Sequence, residues 1–169
     1  MRGESFRIVY EAFDKKQKPK FVGREPPRPT RGRIIVEKRL INPPGLPQPR
    51  GFNHGVLTSG GRLLFMAGQD PSGADGKIVS PGDLVAQFEQ VIRNLKAVAE
   101  AAGGGVSDIV KLNIFVKSRD DYKARLKELG RIYRSYFGDY YPAMALFEVA
   151  DFFQPETLVE IEGIAVIAE

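Results

Sequence analysis

The stretch Tyr141-Pro142-Ala143-Met144-Ala145-Leu146-Phe147-Glu148-Val149 and its counterpart Val159-Glu160-Ile161-Glu162-Gly163-Ile164-Ala165-Val166 decide how this chain folds. In the first, Ala143, Ala145, Phe147 and Val149 alternate with Met144, Leu146 and Glu148. In the second, Val159, Ile161, Gly163 and Ala165 alternate with Glu160, Glu162 and Ile164. A period of two sends successive side chains to opposite faces, so both read as buried strands with two differently lined faces. Glu160 and Glu162 are costly in an apolar strand unless they are hydrogen-bonded, face water, or line a cleft where an acid is wanted. Two readings follow for each: a carboxylate on a solvated sheet face, or one kept in a cleft for proton transfer.

Upstream, Asp83 to Ala102 is the strongest helix, with Leu84, Phe88, Val91, Ile92, Leu95, Val98, Ala99 and Ala102 on one stripe. It follows Pro81-Gly82 and ends at Gly103. Ser107 to Val116 alternates as a strand, and Arg119 to Phe137 reads as one second helix burying Tyr122, Leu126, Leu129, Tyr133 and Tyr136. Gly55 to Ser59 and Arg62 to Ala67 flank Gly60-Gly61, a pair that permits the positive φ of a tight turn, and are expected to form a hairpin. Arg33 to Leu40 reads as the first core strand, followed by a stiff loop set by Pro43, Pro44, Pro47 and Pro49 that leads to Arg50-Gly51-Phe52-Asn53-His54. Asp70 to Lys77 is turn-rich but matches neither a calcium loop nor a phosphate loop, and reads as a plain connection. The order strand, strand, strand, helix, strand, helix, strand, strand implies an α+β fold with two helices on one face of a mixed sheet. Leu64, Met66, Leu112, Ile114, Phe147 and Val149 leave both sheet faces apolar, so the uncovered face predicts association.

At 169 residues and 43% hydrophobic content the chain fits one domain plus an extension, divided as 1–40 and 41–169, with the first core strand at the end of the extension. The net charge of +4 conceals a split: residues 1–39 hold 12 Lys+Arg against 5 Asp+Glu, leaving 13 against 16 for the rest. The extension has a strand-like start, Phe6 to Phe13, and a Lys-, Arg- and Pro-rich linker from Lys15 to Arg33. A basic tail attracts nucleic acid or an acidic surface, and equally lies on the acidic body of its own oligomer. Its basic residues are not interleaved with aromatics as a stacking platform requires, so nucleic acid is not an expected partner. No apolar run approaches the ~18 residues of a membrane span, and the N-terminus lacks the apolar region of a secretory signal, so cytoplasmic residence is expected. Without cysteine, and with His54 as the single histidine, the sequence offers no disulfide, no thiolate nucleophile and no ordinary zinc, iron-sulfur or haem ligation. No cofactor is expected, and only an oxygen-liganded metal site stays open.

Ala67-Gly68-Gln69, Asp108-Ile109-Val110-Lys111, Tyr141-Pro142-Ala143 and Glu160-Ile161-Glu162-Gly163-Ile164-Ala165 occur together in that order. In this combination the chain, from about Ile41 to Ala168, resembles the RidA (YjgF/L-PSP) family. The resemblance implies a chorismate-mutase-like subunit in a homotrimer, with pockets between subunits where the best-known members hydrolyse enamines and imines to ketones and ammonia. It implies Glu160 as the residue that handles the water or proton, with Phe52, Gly68, Met144, Ala145 and Leu146 lining the substrate site. One departure stands out. Deaminating members carry an arginine after Pro-Ala to hold the substrate carboxylate, whereas this chain has Met144, which places it in an arginine-less subgroup. A thioether cannot make a charge-assisted fork to a carboxylate, a contact worth roughly 1.5–3 kcal/mol. Arg50, Arg62 and Arg119 are candidates for replacing it, and their positions are not legible in the sequence.

Two functions are consistent with these residues. One is a RidA-like hydrolase acting on a small enamine, imine or related reactive metabolite at an inter-subunit pocket. The other is a non-catalytic protein that holds a small metabolite in an apolar pocket lined by Met144, Leu146 and Phe52. Glu160 favours the first, since an inert pocket has no need of an acid in that strand.

Overall fold

The computed structural model describes residues 36–168. The strand-like start at Phe6 to Phe13, the linker from Lys15 to Arg33 and the beginning of the expected first core strand lie outside the described residues.

Six strands and three helices follow in order: β1 Glu37–Ile41, β2 Gly55–Ser59, β3 Arg62–Gln69, α1 Leu84–Ala101, β4 Ile109–Val116, α2 Arg119–Ala124, α3 Leu126–Phe137, β5 Ala143–Glu148 and β6 Val159–Ile167. Four strands form one mixed sheet in the order β3-β6-β4-β5. β6 runs antiparallel to both of its neighbours, and β4 and β5 run parallel, the crossover between them being α2 and α3.

The expected β2-β3 hairpin does not form. Gly60 and Gly61 have the positive φ values, 74° and 75°, that the sequence implies. The turn, however, separates two sheets: β2 pairs with β1, while β3 takes its hydrogen bonds from β6. Gly-Gly specifies the local backbone and not the partner of the strand that leaves it. Here the corner is wedged, since a Cβ on Gly61 would lie 2.7 Å from Val36 Cγ2 and 2.8 Å from the Ile167 carbonyl oxygen. The two-stranded sheet is tied to the body through Lys38, whose Nζ donates to Ser107 O at 2.7 Å and pairs with Asp108 at 3.1 Å.

The expected single helix over 119–137 is also broken, at Arg125, where φ and ψ are −105° and 11°. The break allows Tyr122 on α2 to meet Phe88 of α1 edge-on at 6.3 Å, while Leu129, Tyr133 and Phe137 on α3 are buried. Leu126, expected in the core, is 55% exposed beside the break.

α1 starts from an Asp83 cap, whose carboxylate accepts from the Val85 and Ala86 amides at 3.0 and 3.1 Å. The helix buries Leu84, Phe88, Val91, Ile92, Leu95 and Ala99 against the sheet and α3. The facing strand residues are Leu112, Ile114, Val116, Val159, Ile161 and Ala165, all buried. Along β6 the alternation is as expected: Val159, Ile161, Gly163 and Ala165 are buried, and Glu160, Glu162 and Ile164 are half-buried. Among the described residues nothing covers the opposite face, where Leu63 is 63% and Phe65 71% exposed.

One polar side chain sits inside the α1 stripe. Gln87 is fully buried, donates Nε2 to Glu156 O at 2.9 Å and accepts from the Leu158 amide at 2.8 Å. It thereby fixes the chain entering β6. Gln87→Leu removes both bonds and leaves a backbone amide beside the core without its partner. The expected loss is about 1–3 kcal/mol, read as a lower urea midpoint at unchanged slope; an unchanged midpoint would show that the bonds are dispensable.

Candidate functional site

In-register strand partners share a sheet face, so the pairing assigns every candidate residue to a side. Phe115 lies opposite Glu160 on β6 and Phe147 on β5, and Asn113 lies opposite Glu162 and Ala145. These side chains occupy the open face. Leu112 lies opposite Met144 and Gly163, and Ile114 opposite Leu146 and Ile161, on the face covered by the helices.

On the open face, β3 carries one extra residue between Met66 and Gln69 relative to β6. The bulge brings Gly68 under Glu160: a Cβ on Gly68 would lie 1.9 Å from Glu160 Oε1 and 3.0 Å from its Cδ. Any side chain at that position evicts the carboxylate. Glu160 is held above the usual carboxylate range, first by burial and then by the negative charges of Asp70 and Glu162. Glu162 accepts from Asn113 Nδ2 at 2.8 Å. Burial holds the neighbouring Lys111 below the usual lysine range, an effect that Glu162 opposes. Phe115 and Phe147 stack at 5.7 Å beside this group.

On the helix side, a cavity of about 550 Å³ opens where β5 forms the sheet edge. Ile114, Met144 and Leu146 contribute from the sheet, and Phe88, Tyr122 and Leu129 from the helices. Phe52, Tyr133 and Tyr141 add aromatic surface, Tyr133 stacking on Tyr141 at 4.8 Å and 7°. Burial pushes the Tyr122 phenol up to about 12 and raises Tyr133 as well, so both are neutral hydrogen-bond donors near neutral pH. Arg50 and Arg134 complete the lining, which holds no carboxylate among the described residues.

The Phe52 loop is placed by Asn53, a buried residue that the sequence reading passes over. Its amide donates to Pro142 O at 3.0 Å, its Nδ2 donates to Tyr141 O, and its Oδ1 accepts from Asn42 Nδ2 at 2.6 Å. Asn in a proline-rich turn was the available signal, since its side chain satisfies backbone groups that prolines leave without ladders.

The sequence-derived site residues thus fall into two groups. Glu160 and Gly68 meet on the open face; Phe52, Met144 and Leu146 meet at the cavity. Ala145 borders the cavity while its register with Asn113 assigns its side chain to the open face. The two groups are not brought together within one chain, because adjacent positions of a strand point to opposite sides of the sheet. Of the candidate replacement cations, Arg50 lines the cavity, Arg62 opens β3, and Arg119 starts α2 beside Asp120 at 3.6 Å. Arg134 at the cavity was not singled out from sequence. Among the described residues, no group of three His, Asp or Glu side chains is placed to hold a metal ion, and no helix is long and apolar enough to cross a membrane.

Comparison with known proteins accords with this architecture. The family model described as endoribonuclease L-PSP matches residues 47–167. A RutC family protein of Pyrococcus horikoshii is 34% identical over 128 residues, covering 76% of this chain and 97% of its own length. A 2-iminobutanoate/2-iminopropanoate deaminase of Dermatophagoides farinae is 32% identical over 131 residues, covering 77% of this chain and 97% of that protein. The crystal structure of a Rid-family protein of unknown function from Yersinia pestis superposes with a TM-score of 0.69 at 36% identity, covering 77% of this chain and 98% of that one. With its mixed sheet, its helices on one face and these relatives, the chain belongs to the RidA (YjgF/L-PSP) family.

Proposed function

We propose that this protein hydrolyses a small enamine, imine or related reactive metabolite in a pocket assembled between the subunits of a homotrimer. The observation that carries this reading is the seat of Glu160. A carboxyl resting on a glycine, half-buried and raised in pKa by burial, Asp70 and Glu162, is suited to exchanging a proton near neutral pH. The similarity to an iminobutanoate/iminopropanoate deaminase supports the same chemistry.

In the reaction, the Glu160 carboxylate takes a proton from water as the oxygen bonds to the carbon of the protonated imine and the C=N π electrons move to nitrogen. The result is a tetrahedral amino alcohol. Glu160 passes the proton on to nitrogen, the C–N bond breaks with its electron pair on the departing ammonia, and the hydroxyl gives its proton back to the Glu160 carboxylate, and from there to solvent, to leave a ketone. Imine and water give ketone and ammonia, with no oxidant or cofactor. Glu160 both accepts and returns a proton, and a pKa above the ordinary carboxylate range makes the return easier.

Assembly enters because the acid and the cavity lie on opposite faces of one sheet. Leu63, Phe65 and Phe147, 63%, 71% and 48% exposed, give the acid's face an apolar surface suited to burial against a second copy. The shared-pocket reading requires an adjacent subunit laid on it with its own cavity mouth toward Glu160. The second reading, a binding protein without turnover, is supported by a cavity that contains no acid among the described residues.

Ammonia release from an imine generated in situ separates the two. Native protein is expected to accelerate it, and Glu160→Gln to lower the rate by about 10²–10⁴-fold, the usual contribution of a positioned acid-base group; equal rates would leave only the binding reading. The rate of the native enzyme should fall as pH drops through the raised pKa of Glu160, because the base must be ionised. Asp70→Asn removes a negative neighbour, lowers that pKa, and should move the acid limb to lower pH; a shift upward or none would refute the coupling. Sedimentation equilibrium is expected to give three times the chain mass, and Phe65→Asp a smaller species. A native monomer at micromolar concentration would end the shared-pocket picture.

A further inference from the structure

We infer that Arg134, together with Arg50, supplies the cationic anchor that Met144 does not, and that the cavity takes carboxylic acids with an aromatic or similarly bulky apolar body. This rests on the reading of the chain as a protein acting on small metabolites at that cavity, and it specifies which ones.

Three observations meet here. Arg50 and Arg134 reach the cavity from separate elements, the loop before β2 and helix α3, and no carboxylate shares the lining among the described residues. Among the described residues the lining therefore carries two guanidinium groups and no carboxylate, a balance that favours an anion. Arg134 is exposed, and its Nη1 lies 3.4 Å from where a Cβ of Gly130 would be. The guanidinium folds back along α3 over the preceding turn, the direction helical side chains favour. A planar guanidinium can grip a carboxylate in bidentate fashion.

The interior sets the rest of the ligand. A volume of about 550 Å³ is far more than a three-carbon imino acid fills, and falls in the range of pockets for drug-sized molecules. Its surface is aromatic and thioether, from Phe52, Tyr122, Tyr141 and Met144, with the Tyr133–Tyr141 stack offering an edge or face to a ring. An arginine at the Met144 position would project a third charge into this space. Methionine instead keeps the floor apolar, so the loss of the usual arginine and the presence of Arg134 and Arg50 describe one change: the charge moves from the sheet to the rim and the body of the ligand takes the floor.

Titration calorimetry with three non-reactive probes tests this: 3-phenylpropanoate, its neutral amide, and propanoate. The phenyl acid is expected to bind native protein about ten- to a hundredfold more tightly than the amide, the ratio a charge-assisted contact provides, and propanoate more weakly than the phenyl acid. Arg134→Gln should bring the phenyl acid close to the amide, Arg50→Gln should weaken it in the same direction, and Arg131→Gln, on α3 outside the lining, should not. Acid and amide binding equally, or acid binding that survives both cavity substitutions, overturns the inference. Native protein that binds the acid through Arg134 but releases no ammonia from imines sinks the hydrolase and leaves the anchor; an active enzyme indifferent to Arg134 does the reverse.

Discussion

β6 is hydrogen-bonded along both edges, to β3 on one side and β4 on the other, and the placement of every candidate group follows from that double pairing. The centre of the strand is under the tightest packing. A Cβ on Gly163 would lie 2.9 Å from Leu112 Cδ2, from Lys111 O and from Met66 Cε, so neighbouring strands close over it. With Val159, Ile161 and Ala165 driven into the core by burial, Glu160 and Glu162 have only the other face to occupy. A slip of one residue would carry both carboxylates into the core, at a cost no pairing available there offsets.

That constraint explains why the acid and the cavity are apart. β4 transmits the register of β6 to β5, so Glu160, Phe115 and Phe147 share one side while Met144 and Leu146, one residue out of phase, share the other. The electrostatics divide with them. The open face carries Glu160, Glu162 and Asp70 with Lys111 as the nearby cation, while the cavity carries two arginines and no acid among the described residues. Within one chain the acid and the cavity stay on opposite faces of the sheet, and no change of side-chain rotamer joins them.

Polar side chains in otherwise apolar surroundings do the positioning. Asn53 fastens the Phe52 loop to the backbone just ahead of β5, and Gln87 fastens the segment before β6 to α1. Asn94 ties the Asp70 loop to the same helix, donating to Asp70 O at 2.9 Å and Ser72 O at 3.0 Å. Each bond is worth about 0.5–1.5 kcal/mol net. Their larger effect is on geometry, since they aim the loops that carry Phe52, Arg50 and Asp70 at the two sites. The Asp70 loop matches neither a calcium nor a phosphate loop, and Asp70 raises the Glu160 pKa through the charge it presents.

The sequence by itself determined the strands of β5 and β6, the stripe and cap of α1, and which residues of β6 face the core, because period and capping act between neighbours and are written in neighbours. Through a family resemblance it also implied that Glu160, Gly68, Phe52 and Met144 line one site, whereas within one chain Glu160 meets Gly68 on one face and Phe52 meets Met144 on the other. Tertiary structure alone decided that β3 pairs with β6 rather than with β2, that the second helix breaks at Arg125, and that Leu126 stays exposed. It also decided that Arg134, an ordinary surface position by pattern, turns over Gly130 toward the cavity, and that the bulge of β3 lays Gly68 beneath Glu160. These outcomes depend on competition among distant segments for the same hydrogen bonds and the same volume, and no local pattern of residue types records which one wins.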